Sequence, residues 1–193
     1  MAINWFADNY IEILGVITSL VYLYFSVRQQ IWLWPFGIVS SAFFIYIFYM
    51  NRFYADMSLQ GYYLLISIYG WYNWSKGKRQ NDSGKLPVTR IRLFTAIILL
   101  IIFVLLWIFI AVLLIHFTDS DVPWGDAFTT AGSIVATWML ARKILEHWII
   151  WIIVDAVSAG LYLYKDMYPT VILYFIFTVI AVVGFYKWKS DMR

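Results

Sequence analysis

The stretch from Leu93 to Phe117 contains no Asp, Glu, Lys or Arg. As a helix rising about 1.5 Å per residue, it is long enough to cross about 30 Å of hydrocarbon. A chain with such a segment belongs in a bilayer, and the rest has to be read with that solvent in mind. Six further apolar runs have comparable length: 9 to 27, 32 to 50, 56 to 75, 124 to 141, 146 to 164 and 168 to 187. Composition agrees, with 63% hydrophobic and 21% aromatic residues against 13% charged, more than a soluble domain needs to fill its core. The sequence therefore predicts an all-α membrane protein with seven transmembrane helices. The run at 124 to 141 is the weakest of them. Its Thr129, Thr130, Ser133 and Thr137 suit a helix that faces inward rather than lipid.

Basic residues orient these spans. If the segment between the third and fourth is cytoplasmic, that side holds Arg28, Lys76, Lys78, Arg79, Lys85, Arg90, Arg92, Arg142, Lys143, Lys187, Lys189 and Arg193, leaving Arg52 and Lys165 outside. Such asymmetry predicts an outer amino terminus and an inner carboxyl terminus, as an odd number of crossings requires. It also accounts for the net charge of +3, so nothing points to nucleic acid. The opening MAINWFADNY has no basic n-region or small-residue cleavage site, and the first span is expected to direct insertion itself. The segment KGKRQNDSGKLPVTRIR at 76 to 92 reads as a solvated basic loop next to lipid headgroups. With no cysteine in the chain, disulfides, thiolate metal sites and cysteine nucleophiles are excluded. His116 and His147 have no ligand-spaced partner, and no phosphate loop, nucleophile elbow or H-E-x-x-H is present, so neither a metal, a cofactor nor an enzyme is expected.

Shifting the chain by 114 residues (142 minus 28) superimposes Arg28 on Arg142, Trp34 on Trp148, Tyr54 on Tyr168, Gly70 on Gly184, Tyr72 on Tyr186 and Trp74 on Trp188, without a gap. Scarce residues matching in register point to duplication. The expected organisation is a first three-helix repeat at 1 to 75, the basic loop at 76 to 92, a linking transmembrane helix at 93 to 117 and a second repeat at 118 to 193. This 3+1+3 parallel arrangement is a transporter architecture, with solute bound near mid-membrane between rocking halves. The repeats differ at polar positions: Ser41 matches Asp155, Gln60 matches Tyr174 and Asn73 matches Lys187. An asymmetric ligand requires such differences; a symmetric scaffold does not.

Within the sixth span Trp148, Trp151, Asp155, Ser158 and Tyr162 are spaced alternately three and four residues apart, so a helix aligns them as one stripe around a carboxylate. An ionisable group at membrane depth normally faces a bundle interior or a wet cavity, and aromatic neighbours suit a ring-shaped, preferably cationic ligand. The alternative for Asp155 is a buried acid bonded to a neighbouring Ser or Tyr, or kept protonated; for Ser158 and Tyr162 it is ordinary interhelical contact. On the third span Gln60, Ser67, Trp71 and Trp74 share a face. Gln60 must find a partner in a ligand or another helix, and Asn73 is either a ligand contact or a helix-end cap. On the second span Trp34, Gly37 and Ser41 are the counterparts of Trp148, Trp151 and Asp155, and Gly37 is expected to leave space opposite the stacking rings. Trp74 and Trp188 are expected at the membrane interfaces.

W-P-F-G-I-V-S-S at 34 to 41, Y-G-W-Y-N-W at 69 to 74, H-W-I-I-W-I-I-V-D at 147 to 155 and G-L-Y-L-Y-K-D-M-Y-P-T at 160 to 170 resemble the PnuC-type nicotinamide riboside transporters of bacteria. The likeness extends over nearly the whole chain. It implies a fold related to the SWEET sugar transporters, uptake across the inner membrane by facilitated diffusion, retention of the vitamin by a cytosolic nicotinamide riboside kinase, and a homotrimer. The family's W-x-x-W feature matches Trp148 and Trp151, which would stack on the pyridinium ring. Asp155 would accept hydrogen bonds from the ribose or offset the ring charge. The expected solute contacts are Trp34, Ser41, Gln60, Trp71, Asn73, Trp148, Trp151, Asp155, Ser158, Tyr162 and Tyr174. Thiamine or a deoxynucleoside is the competing cargo, and a non-transporting membrane scaffold or an intramembrane enzyme the competing class.

Overall fold

The computed structural model describes residues 10–50, 54–80 and 86–192; Arg52, Lys85 and Arg193, which carry part of the charge asymmetry, lie outside the described residues. Seven α-helices follow one another: α1 Tyr10–Val27, α2 Leu33–Met50, α3 Tyr54–Gln80, α4 Leu93–Phe117, α5 Pro123–Ala141, α6 His147–Tyr164 and α7 Tyr168–Ser190. No strand occurs among the described residues, only an isolated bridge between Thr89 and Ile144. Helices α4, α6 and α7 are each long and apolar enough to cross a bilayer. The chain divides into two compact units, Met1–Ile68 and Tyr69–Arg193, with the division inside α3.

The turns explain where helices stop. After α1, Gln29 is left-handed at φ 54°, its N–H donates to the Ser26 carbonyl at 3.0 Å and the Gln30 N–H donates to that of Phe25 at 2.9 Å. After α5, Lys143 is left-handed at φ 52°, its N–H donates to Leu140 at 2.9 Å and the Ile144 N–H donates to Met139 at 3.0 Å. Each pair closes a Schellman turn that uses helix-end carbonyls. All four hydrogen bonds are related by the 114-residue offset. So are two cation-π contacts, Arg28 over Tyr24 at 4.9 Å and Arg142 over Trp138 at 5.3 Å. A third left-handed residue, Asp166 at φ 55°, ends α6 in the same way, with the Met167 N–H donating to Tyr162 at 3.0 Å.

In the second unit α5 is the central helix, packed against α4 and α6, while α6 packs against α7. Small residues make this close approach possible. A Cβ at Gly132 would lie 2.5 Å from Val154 Cγ2, and one at Gly125 would lie 2.6 Å from Leu161 Cδ2. The inward position expected from the α5 hydroxyls holds, since Ala127, Ala131, Val135, Ala136, Thr137 and Met139 are all buried. Each hydroxyl donates within its own helix: Thr130 to Asp126 at 2.8 Å, Ser133 to Thr129 at 2.8 Å and Thr137 to Ser133 at 2.7 Å. Bonding to a carbonyl one turn back satisfies such a donor where water is absent.

The segment expected as a solvated loop is built differently. Helix α3 continues to Gln80, because Lys, Arg and Gln are good helix formers and Leu86 covers Gly77, where a Cβ would lie 2.8 Å from Leu86 Cβ. Residues 86 to 92 then form a strap on the α5–α6 turn. The Thr89 N–H donates to the Lys143 carbonyl and the Leu145 N–H to the Thr89 carbonyl, both at 2.9 Å; the Ile91 N–H donates to Glu146 Oε2 at 2.9 Å. Ile91 also packs on the cluster of Leu99, Val135, Met139 and Ile144. The apolar residues interspersed among the bases dock the backbone. Thr89→Pro removes the donor to Lys143, and a local loss of about 1–2 kcal/mol is expected. Hydrogen exchange at the Leu145 amide should accelerate correspondingly; unchanged protection there would refute the strap.

Candidate functional site

Helix α6 carries the site and packs between α5 and α7. Toward α5 it presents Val154 and Leu161, which fill the places of side chains missing at Gly132 and Gly125. Toward α7 it presents Trp148, against which a Cβ at Gly184 would lie 2.6 Å from ring atom Cζ2, and Tyr162, stacked on Tyr174 with centroids 5.2 Å apart and planes 22° apart. Between those contacts fall Trp151, Asp155 and Ser158, the middle of the stripe.

Asp155 and Ser158 are each only 5% exposed. Among the described residues neither has a hydrogen-bond partner. The hydroxyls nearest in the fold do not serve them: those of α5 turn onto their own carbonyls, and Thr178 of α7 donates to Tyr174 at 2.9 Å. Among the described residues no basic side chain forms an ion pair with the carboxylate: along the helix axis the nearest basic groups are His147, about 12 Å away, and Lys165, about 15 Å away, and Lys165 lies 3.7 Å from Asp126 instead. A buried polar group without a partner is expensive, by about 1–3 kcal/mol and more when charged, so the stripe retains open hydrogen-bonding and charge capacity at mid-helix. Half-buried Trp151, one turn away, adds an indole.

The remaining expected residues are distributed elsewhere. Trp148 is 1% exposed and packs with His147 at 4.6 Å and Trp188 at 5.8 Å; its Nε1 has no acceptor among the described residues. Asn73 Nδ2 donates to the carbonyl of Ala141, the last residue of α5, at 2.9 Å; α3 itself continues to Gln80, so Asn73 serves the end of a neighbouring helix rather than its own. Trp71 is 45% exposed, turned away from the α3 face that carries Asn73, Trp74 and Gly77. In the first unit Trp34 and Ser41 are buried, Gln60 is half-buried, and neither Ser41 nor Gln60 has a hydrogen-bond partner among the described residues. The space expected at Gly37 is taken: a Cβ there would lie 2.7 Å from Ser67 Oγ and 3.7 Å from the Tyr22 ring.

Trp74 and Trp188, expected to anchor at the membrane interfaces, have buried side chains, with centroids 6.3 Å apart. Together with His147, Trp148 and Lys143 they form an aromatic box at one end of the unit. Sequence reasoning missed Lys143, which is 2% exposed. Its Nζ sits 4.5 Å from the centre of the Trp74 ring and donates to the Leu86 carbonyl at 2.9 Å. A signal for it is its register with Gln29, the left-handed turn residue 114 positions earlier.

Similarity to known proteins accords with this arrangement. The nicotinamide riboside transporter PnuC of Escherichia coli is 27% identical over 209 residues, covering 96% of this chain and 87% of that protein. The riboflavin/roseoflavin transporter RibM of Streptomyces davaonensis is 25% identical over 183 residues, covering 94% and 85%. A crystal structure of the vitamin B3 transporter PnuC superimposes with a TM-score of 0.75 at 19% identity, covering 99% of this chain and 85% of that one, which establishes the fold. Residues 9–190 match the nicotinamide mononucleotide transporter family model, and the chain belongs to that family of membrane transporters.

Proposed function

We propose that this protein carries nicotinamide riboside across the bacterial inner membrane by facilitated diffusion with alternating access. The observation that carries the reading is the pair Asp155 and Ser158, buried at mid-helix without described partners and adjacent to the Trp151 indole. A pyridinium ring offers charge to the carboxylate and a flat face to the indole, while ribose hydroxyls supply the donors that Asp155 lacks. Tyr162 and Tyr174, stacked two turns along, extend the aromatic surface; in the first repeat Trp34, Ser41 and Gln60 are the proposed solute contacts. The recurrence of the helix-ending turns at a 114-residue offset supports a duplicated 3+1+3, SWEET-like organisation, with repeats at 1 to 75 and 118 to 193 joined by α4. The distribution of basic residues supports an outer amino terminus and an inner carboxyl terminus. A homotrimer, and trapping of the cargo by a cytosolic kinase, complete the proposal.

The riboflavin relative gives a second reading weight, since it too has a planar-ring cargo in its name. Purified protein in vesicles without kinase separates the cargoes. Labelled nicotinamide riboside should enter, be competed by unlabelled nicotinamide riboside and not by riboflavin, thiamine or a deoxynucleoside, and, at equal pH on both sides, level off at the external concentration. Failure of nicotinamide riboside to compete would reject this cargo. Vesicles that move none of these solutes would favour the scaffold or enzyme class.

A further inference from the structure

We propose that the strap at 86 to 92 is a binding surface for the headgroup of an anionic phospholipid, gripped by Arg90 and Arg92 with Arg142 beside them. The strap is built to present those side chains. Its Ile91 packs on the buried cluster of Leu99, Val135, Met139 and Ile144, and Arg92 is extended, at φ −84° and ψ 145°. Alternate residues of an extended chain point to opposite sides, so Arg90 and Arg92 project away from the side that Ile91 buries, and both are exposed. The backbone between them is held, with the Ile91 N–H donating to Glu146 Oε2 at 2.9 Å and Thr89 bridged to Ile144. Arg142 is exposed at the end of α5, one residue from the Lys143 carbonyl that accepts from the Thr89 N–H at 2.9 Å.

Charge and depth identify the occupant. Among the described residues neither Arg90 nor Arg92 is in an ion pair. The contacts of Arg142 are neutral: its Nη1 donates to the Tyr69 hydroxyl at 2.8 Å, and its guanidinium lies over the Trp138 ring at 5.3 Å. No Asp or Glu occurs in 84 to 118 or in 127 to 145, and the single carboxylate of Glu146 does not balance three guanidiniums. Immediately after Arg92 the chain enters the charge-free span 93 to 117, whose first residues, Leu93 and Phe94, are 78% and 75% exposed. A residue preceding such a span sits at headgroup level, where a guanidinium fork matches phosphate oxygens. A soluble anion would use the arginines alone, whereas a phospholipid also lays its acyl chains against Leu93 and Phe94. Its negative charge offsets the repulsion among guanidiniums that stay together only while the strap is docked, so lipid binding and strap docking reinforce each other.

Full-length protein in bilayer discs, of phosphatidylcholine alone or mixed with phosphatidylglycerol, tests this by two readouts. Spin-labelled phosphatidylglycerol should be immobilised on the protein in preference to spin-labelled phosphatidylcholine. Arg90→Gln combined with Arg92→Gln should lower that preference about thirtyfold, at about fivefold for each arginine, and Arg90→Lys combined with Arg92→Lys should keep most of it. Hydrogen exchange at the Leu145 amide, which donates to the Thr89 carbonyl at 2.9 Å, should slow in the mixed discs for the wild-type chain and not for the double glutamine variant. Equal immobilisation of the two lipids by the wild-type chain, or a preference unchanged in the glutamine variant, would overturn the proposal. Inorganic phosphate or glycerol 3-phosphate that slowed the Leu145 exchange equally in phosphatidylcholine discs would overturn the lipid assignment and make the strap a site for soluble anions.

Discussion

Asp155→Asn should lower nicotinamide riboside uptake about thirtyfold without loss of thermal stability. The two expectations have the same origin. On the proposed reading the carboxylate supplies charge and acceptors to a cationic cargo, and losing a charge-assisted interaction of about 2 kcal/mol lowers affinity about thirtyfold. In the empty protein the same carboxylate lies buried at mid-helix without a described partner. The amide is isosteric and uncharged, so replacing a buried group of this kind by a neutral one is neutral or stabilising for the fold. Uptake in vesicles and a melting curve of the same preparation check both halves. A protein that melts much lower would mean that Asp155 holds the fold together; unchanged uptake would mean that it does not contact the cargo. Trp151→Ala, which removes one stacking face, should lower uptake about tenfold, corresponding to roughly 1–2 kcal/mol of cation-π attraction.

Trp148→Ala is expected to act in the opposite manner, through stability. Its indole is 1% exposed, wedged between Gly184 and the rings of His147 and Trp188, with no free face for a cargo. Removing a buried Trp leaves a cavity that costs about 3–5 kcal/mol, which for a chain of this size lowers the melting temperature by roughly 10 °C. Uptake per folded molecule should fall less than it does in Asp155→Asn. A variant with an unchanged melting temperature and lost uptake would instead place Trp148 against the solute, as the W-x-x-W spacing had implied. The two indoles of that motif are thus separable by experiment, with Trp151→Ala expected to act on cargo and Trp148→Ala on the fold.

Hydropathy alone located the helices. The expected limits 93 to 117 and 146 to 164 lie within a residue of α4 and α6, because a bilayer demands long apolar runs and leaves little choice of backbone. Helical spacing likewise aligned Asp155 with Ser158 and Tyr162, since residues three and four apart share a face whatever surrounds them. The offset of 114 residues found the matching turns, because a left-handed helix end is a local property of the chain.

What lies against each face was decided only in three dimensions. Trp148 and Trp151 are indistinguishable in composition and both belong to the stripe, yet the absence of a side chain at Gly184, far along the chain, draws one into the packed interior and leaves the other half-buried. Trp74 and Trp188 read as interfacial because indoles favour that depth, while their pairing with Lys143 in a box depends on contacts among α3, the α5–α6 turn and α7. The strap at 86 to 92 looked polar by content, and its docking rests on backbone hydrogen bonds to residues 143 to 146, to which side-chain patterning is blind. Periodicity along a helix is written in nearest neighbours, but in an apolar solvent the choice between lipid and a partner helix turns on shape, supplied by glycines and hydroxyls on another helix.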